Sequence, residues 1–256
     1  MLALVLRLSG FTGALLAWEA IGRSDMFLEG YFPPPSEVFP QVVSMLGNQL
    51  FLRDLVATTL SVAIGLGLAA AIAVPLGMIL ATSTLLRTAS RAVLEFLRPI
   101  PPVALVPLAA IWIGGGPTTK IGLAVFASLW PILYNTMYAV DEVEPLHVAT
   151  ARSCGYGPAR VLLRVVLPSV TPFALTGVRL ATPIALSVVI SVEMLTGTSG
   201  GLGGAVLEAA SGVTRMDQVL AIVLVAGLLG LGLHQGLEQL QRRGFGWTVA
   251  AREATR

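Results

Sequence analysis

Six runs of mostly apolar residues, each about 20 residues or longer and so able to cross a bilayer as one helix, follow one another along this chain: 2–20, 55–82, 94–114, 119–140, 170–195 and 217–239. Hydrocarbon offers no water to backbone N–H and C=O groups, so each run must satisfy its own backbone as a helix. The charge content agrees. Only 12% of the 256 residues are Asp, Glu, Lys or Arg, about half the ~25% of a soluble domain. The expected fold class is an all-α integral membrane protein with about six transmembrane helices, forming a single domain over 1–256 with its core at 50–240. The third run holds Pro99, Pro101, Pro102 and Pro107, so its first turns are expected to be irregular. The first run is read as a retained helix rather than a leader, because Arg7 is its lone early positive charge and Ala17 and Ala20 make a poor cleavage signal.

The basic residues orient these spans, since cytoplasmic segments carry the excess of Lys and Arg. With the N-terminus inside, Arg7, Arg87, Arg91, Arg98, Arg152, Arg160, Arg164, Arg179, Arg242, Arg243, Arg252 and Arg256 fall on the inner side. Only Arg23, Arg53, Lys120 and Arg215 fall on the outer side. An even number of spans with both termini in the cytoplasm follows from that bias.

Two segments on the outer side are more than loops. After Pro33-Pro34-Pro35, Ser36 is placed to cap a helix to about Gly47, whose Val38, Phe39, Val42, Val43 and Leu46 share a face. A helix of that pattern over 36–47 suits the outer membrane interface. The stretch 196–216, with Gly200, Gly201, Gly203 and Gly204, is expected to turn back to the membrane through a short helix. On the inner side, 141–168 is too long to be a mere connection. Its Gly155, Gly157 and Pro158 separate two helical pieces, which points to a docking element.

Absences narrow the chemistry. Lys120, the only lysine, sits in no G-x-x-x-x-G-K-[ST] phosphate loop, so ATP hydrolysis is expected elsewhere and no enzyme activity is assigned to this chain. Cys154 is the only cysteine, and no metal-ligand spacing or nucleophile elbow is present. Neither a catalytic residue nor a cofactor or metal site is expected, and nothing indicates nucleic acid. Cys154 and His147 are read as structural. Ala69, Ala73 and Gly77, and likewise Gly232 and Gly236, offer small-residue stripes for close helix packing inside the bundle. Glu95 and Arg98 have the spacing of a helix-surface pair. Trp112, Trp130 and Trp247 are placed as interfacial anchors.

The inner loop reads Ala149-Thr150-Ala151-Arg152-Ser153-Cys154-Gly155, then nine residues, then Val165-Val166-Leu167-Pro168. It resembles the EAA loop of permeases of bacterial binding-protein-dependent ATP-binding-cassette (ABC) importers: E-A-A, three residues, Gly, nine residues, I-x-L-P. Ala151, Gly155, Leu167 and Pro168 match, Val165 replaces Ile, and Ala149 and Thr150 replace the Glu and first Ala. Pro34-Pro35-Ser36-Glu37-Val38, Arg98-Pro99-Ile100-Pro101-Pro102, Thr176-Gly177-Val178-Arg179-Leu180-Ala181, Val192-Glu193-Met194-Leu195 and Ser199-Gly200-Gly201-Leu202-Gly203 are similar to the aliphatic sulfonate, taurine and nitrate branch. Relatives of that branch also carry pyrimidine precursors, riboflavin and aromatic acids.

The resemblance implies a type I (MetI-like) permease fold in the bacterial cell (inner) membrane. It implies a second permease copy, two cytoplasmic ATP-binding subunits and an extracytoplasmic binding protein. Residues 149–164 would then form a helix lodged on the ATPase, with Arg152, Arg160 and Arg164 as ion-pair candidates and the Ala149–Pro168 stretch as coupling loop. Pro101, Pro102, Glu193 and Met194 are candidates for the pathway or for docking the binding protein. Glu193 has a second reading, as an interfacial carboxylate that holds the glycine-rich loop. Two other functions fit the residues alone: an ion-gradient transporter using Glu193, Glu95 or Glu19, and a non-transporting membrane scaffold.

Overall fold

The computed structural model describes residues 2–24, 31–197, 200–211 and 216–245. Ser199, Arg215, Trp247, Arg252 and Arg256, and the side chain of Arg7, lie outside the described residues. All regular structure among the described residues is helical: α1 Leu2–Gly22, α2 Pro35–Leu46, α3 Gln49–Thr82, α4 Thr84–Leu97, α5 Val106–Ile113, α6 Pro117–Asp141, α7 Pro145–Ser153, α8 Pro158–Val161, α9 Leu167–Thr196, α10 Leu202–Ser211 and α11 Met216–Gly244. A 3₁₀ turn, Pro102–Leu105, precedes α5, and a π turn, Leu162–Val166, joins α8 to α9.

Among the described residues, four segments are long and apolar enough to span a membrane unaided: α3, α6, the continuous run Pro158–Thr196, and α11. The first span expected from the sequence is α1, whose 21 residues reach about 31 Å, the thickness of a bilayer core.

The third expected span is corrected. No single helix covers 94–114. Instead α4 ends at Leu97, and Pro102–Ile113 leaves it at 77°. The prolines are the cause. Pro99, Pro101 and Pro102 cannot donate to a helical ladder, and Pro102 holds the residue before it in extended backbone. Pro101 itself has φ −69°, ψ 119°. The pair counts as one span only if that bend is included. Before it, α4 is capped by Ser83, whose side chain accepts from Leu86 N at 3.3 Å. Arg87 then anchors α4 to the end of α6 through Asp141 at 2.7 Å.

The centre of the bundle is α3, α6 and α9, joined by Val62, Leu66, Ala69, Ala73, Ile132, Leu133, Ala181, Ala185 and Val189. Small residues bring the axes together. A Cβ on Gly65 would stand 2.8 Å from Ala124 Cβ, and one on Gly77 2.9 Å from Thr136 Cβ. With Ala69 and Ala73 fully buried between them, the expected stripe on α3 packs inside the bundle. Gly177 on α9 packs as closely, against the α6 backbone at Ile132. The second expected stripe does not do this: Gly232 and Gly236 have nothing within 4 Å of a built Cβ. Trp130 is also corrected. It lies mid-helix, buried, edge-on to Phe126 at 5.5 Å, and is a core residue rather than an anchor. Trp112, near the end of α5, is exposed.

At one end of the bundle, α2 and α10 close over α3 and α11. Leu202, Val206 and Ala209 of α10 pack with Phe51, Ile222 and Val225. The α2 helix forms over Pro35–Leu46, but Ser36 is not its cap. Pro34 precedes the first turn, and Ser36 instead hydrogen-bonds the Glu19 carboxylate of α1 through both its N–H (3.1 Å) and Oγ (2.8 Å). The proposed apolar face also divides. Val38 is buried and Val42 half-buried, while Phe39, Val43 and Leu46 are exposed.

Candidate functional site

The opposite end of the bundle carries the 141–168 segment. Pro145 starts α7 at a position where the missing N–H costs nothing. The helix stops at a glycine in the left-handed region, Gly155 with φ +81°. Three backbone bonds complete the stop: Cys154 N to Thr150 O, Gly155 N to Arg152 O and Tyr156 N to Ala151 O. The last two make a Schellman cap, which accounts for the glycine of the motif. A side chain there would be held in a conformation L-residues rarely adopt. Residues 149–164 are therefore not one helix. They form the end of α7, a cap at 154–157 and the start of α8, two arms set by Gly155.

The Leu-Pro of the motif has its own cause. Proline at 168 clashes with a carbonyl four residues back in a regular α-helix. Here the preceding turn widens, and Leu167 N–H bonds Leu162 O, five residues away. Such π turns recur at functional sites. Beyond it, α9 continues to Thr196, so α8 through α9 is one 39-residue run.

Between the two arms lies an open cleft of about 540 Å³, lined by Leu146, His147, Thr150, Ala151, Cys154, Tyr156, Arg164, Val165, Pro168 and Ser169. Arg160 and Arg164 place their guanidinium carbons 5.5 and 5.8 Å from the centre of the Tyr156 ring. They brace the arm opposite α7. Ala149, Thr150, Arg152, Ser153, Gly155 and Pro168 are exposed, and Ala151 and Leu167 are half-buried. Ser153 Oγ bonds Ala149 O at 3.1 Å. His147 stands 3.8 Å from Glu144, and Cys154 is an exposed free thiol.

At the glycine-rich end, Glu193 of α9 is fully buried. Lys120 Nζ of α6 donates to its Oε1 at 2.7 Å, and Thr58 Oγ1 of α3 donates to the carboxylate at 2.9 Å. Gly203 N donates to Oε2 at 3.0 Å, Leu202 N to Thr58 Oγ1 at 2.9 Å, and Gly201 N to Asp54 Oδ1 at 2.7 Å. Of the two readings of Glu193, the geometry gives the one that holds the glycine-rich loop. Its partner Lys120 was not legible in the sequence. A lone lysine at the start of an apolar run was the only signal.

Other pairings differ from expectation. Glu95 bonds Arg91 at 2.7 Å, not Arg98, whose guanidinium carbon lies 4.8 Å from the Tyr134 ring centre. Pro101 and Pro102 open the 3₁₀ turn ahead of α5, and Met194 is exposed one position beyond Glu193. The packing that links these regions runs through Val106 of α5 with Val188 and Val192 of α9. Each carboxylate considered for gradient coupling is engaged with a basic side chain: Glu19 with Arg23, Glu95 with Arg91, Glu193 with Lys120.

Comparison with known proteins matches residues 73–243 to the family described as binding-protein-dependent transport system inner membrane component. A putative ABC transporter permease of Methanocaldococcus jannaschii is 31% identical, the match covering 95% of this chain and 92% of that protein. The taurine transport system permease protein TauC of Escherichia coli K12 is 29% identical over 91% of this chain and 86% of its own length. The bicarbonate transport system permease protein CmpB of Synechocystis is 27% identical over 91% and 86%. Among solved structures, an inward-facing form of the MetNI methionine ABC transporter gives a TM-score of 0.65 over 75% of this chain and 94% of that one, at 17% identity. The likeness to that structure is one of fold. By the extent of the family match, this chain belongs to the binding-protein-dependent transport system inner membrane components, the permeases of ABC importers.

Proposed function

We propose that this chain forms half of the translocation pathway of an ABC importer and receives the ATPase stroke at the two-armed loop 141–168. The observation that carries the reading is the continuity of that loop with the bundle. The cleft between α7 and α8 opens at the base of α9, and α9 packs along α6 in the bundle core. A partner seated in the cleft moves a long helix and not a loop. The second permease copy, two ATP-binding subunits and an extracytoplasmic binding protein complete the transporter. Twelve basic residues against four orient the loop to the cytoplasm, with α2 and α10 outside and both termini inside. The missing motif glutamate, Ala149 here, shifts ATPase recognition to the cleft wall and to Arg152.

The relatives named for taurine and bicarbonate transport support a small solute bearing an oxyanion as substrate. The test is uptake into proteoliposomes holding this chain with its ATPase and binding protein, using labelled taurine and bicarbonate. ATP-dependent accumulation of either supports the reading. Uptake driven by an ion gradient through this chain alone overturns it.

A further inference from the structure

Where α9 meets α11 the seam is polar. One face of α9 carries Pro172, Thr176 and Arg179 at i, i+4 and i+7, and α11 answers with His234, Glu238 and Gln241 at the same spacing. The register runs antiparallel. Gln241 meets Thr176 at 3.0 Å, while a Cβ on Gly230 would stand 3.1 Å from Leu186 Cδ2. Glu238 therefore lies opposite Arg179. Two buried polar atoms on this seam have no hydrogen-bond partner: Arg179 Nε and Gln241 Oε1. The first can only donate and the second only accept. The Gln241 amide cannot be turned over, because its Nε2 donates to Pro172 O at 3.1 Å and a carbonyl oxygen needs a donor there. Buried polar groups are almost always paired. A donor and an acceptor left over on facing helices, one turn apart, mark a contact that this state does not make.

Glu238 is the third party. Its carboxylate bonds Arg242 of its own helix at 2.7 Å, and that arginine side chain is 71% exposed. Arg179 and His234 lie within electrostatic range of the same carboxylate. Glu238 thus has two arginines within reach, one exposed on α11 and one half-buried across the seam. An exposed i,i+4 pair is weak. A half-buried pair is strengthened by the lower dielectric, and one guanidinium has donors enough for both Glu238 and Gln241 Oε1. Arg179 also sits in the part of α9 best able to move. Pro172 and Pro183 lie on either side of it, and each removes an N–H from the ladder.

We propose that Arg179 is a positioning residue in a two-state charge latch: Glu238 is held by Arg242 in this structure, and bending of α9 between Pro172 and Pro183 hands it to Arg179. Gln241 Oε1 completes the bonds of the guanidinium in the second state. The proposal rests on the importer reading above, which supplies the ATPase stroke that bends α9. Arg242 is released at an exposed position, where water replaces the carboxylate. Gln241 Nε2 keeps Pro172 O in both states, so the end of α11 travels with α9 while the carboxylate changes hands.

Two measurements test it, both on the complex of this chain with its ATP-binding subunits in lipid nanodiscs. The first is the ATP concentration that half-saturates vanadate trapping of nucleotide. Arg242→Gln frees Glu238 and is expected to lower that concentration about two- to fivefold, the range for one exposed ion pair. Arg179→Met removes the partner of the second state and is expected to raise it more than about tenfold, with Arg179→Lys in between. Opposite signs for two arginines on one carboxylate are what a merely structural role does not produce. With Glu238→Gln in place, neither arginine change is expected to shift trapping further. The second measurement is disulfide formation in the double variant Arg179→Cys, Glu238→Cys, with Cys154, the free cysteine, changed to serine. The cross-link is expected to form faster with nucleotide trapped than without. Shifts of one sign for Arg242→Gln and Arg179→Met, no shift in either, or cross-linking indifferent to trapping overturns the proposal. Arg242→Gln, at an exposed position, carries the test where Arg179→Met does not assemble. A wild-type complex that traps no nucleotide overturns the importer reading instead.

Discussion

Gly177 sits where α9 crosses α6, and Gly177→Ala is the sharpest single test of how the bundle is held. A Cβ there stands 2.8 Å from Ile132 Cα, 3.0 Å from Pro131 O and 3.1 Å from Asn135 Cβ. The first two are backbone atoms of α6 and cannot rotate away. Carbon pairs are comfortable at about 3.5–4.0 Å, so α9 must withdraw by roughly 1 Å, a gap that forfeits a quarter to a half of each neighbouring contact. Overpacking of this kind costs about 1–3 kcal/mol. Alanine also favours a helix by up to about 1 kcal/mol over glycine, which masks part of the cost. Gly122→Ala removes that ambiguity. Gly122 lies in α6 with nothing within 4 Å of a built Cβ, so it gains the helix term and pays no packing term. The difference between the two variants is then the overpacking alone. At about 2 kcal/mol it lowers the thermal midpoint of Gly177→Ala by about 4–8 °C relative to Gly122→Ala, for a domain of this size. The assay is unfolding of the purified chain in one detergent, followed by circular dichroism. Equal midpoints for the two variants refute the close crossing of α6 and α9.

Gly155→Asp forces an L-residue into φ +81°, costing about 1–2 kcal/mol in the α7 cap. Uptake by the assembled transporter is expected to fall about tenfold for each 1.4 kcal/mol, with membrane insertion unaffected; normal uptake counts against the loop as coupling element. Cys154 is exposed beside the cleft, so a membrane-impermeant maleimide should label it in inside-out vesicles and not in right-side-out ones, and the reverse pattern inverts the orientation. Tyr156→Ala removes the ring under Arg160 and Arg164, each such contact being worth about 0.5–1 kcal/mol at exposed sites. ATPase binding, read by co-purification at rising salt, should weaken in Tyr156→Ala and persist in Tyr156→Phe.

Hydrophobic length marked α3, α6, α9 and α11, with ends off by up to about six residues, because each is a long run that lipid forces to be helical. What length cannot show is where proline wins. The third run reads as apolar through 94–114, yet its prolines bend it, and the amphipathic α4, which carries Arg87, Arg91 and Glu95, counts towards a span only together with the bent segment Pro102–Ile113. The loop motif was legible down to the Gly and Leu-Pro because each answers a local backbone demand: a left-handed cap at Gly155, a widened turn before Pro168. Ala149 and Arg152, both exposed, answer no such local demand. Lys120 and Glu193 were separately visible as charges in apolar runs. Their pairing joins residues far apart in sequence, and nothing local to either one specifies the other. Trp130 failed for a related reason. An anchor and a core tryptophan have the same local sequence, and only the packing of Phe126 against it decides.

One helix connects the two sites. The run Pro158–Thr196 has 39 residues and measures about 58 Å at 1.5 Å per residue. One end forms an arm of the cleft, and the other carries Glu193. A helix does not shorten, so a displacement of α8 either travels to Glu193 or is absorbed on the way. At Glu193 the helix is fixed to α3, α6 and α10, and freeing it exposes a buried charge. The compliant points lie between. The π turn at 162–166 lacks regular bonding, and Pro172 and Pro183 each remove an N–H from the ladder. At Pro172 the helix is tied to a neighbour, where Gln241 of α11 donates to Pro172 O at 3.1 Å. Motion at the cleft therefore reaches α11 before it reaches Glu193. If the proposed ATPase stroke enters at the cleft, it bends the cleft-side half of α9 together with the end of α11, while α10 and the Glu193 half of α9 keep their packing.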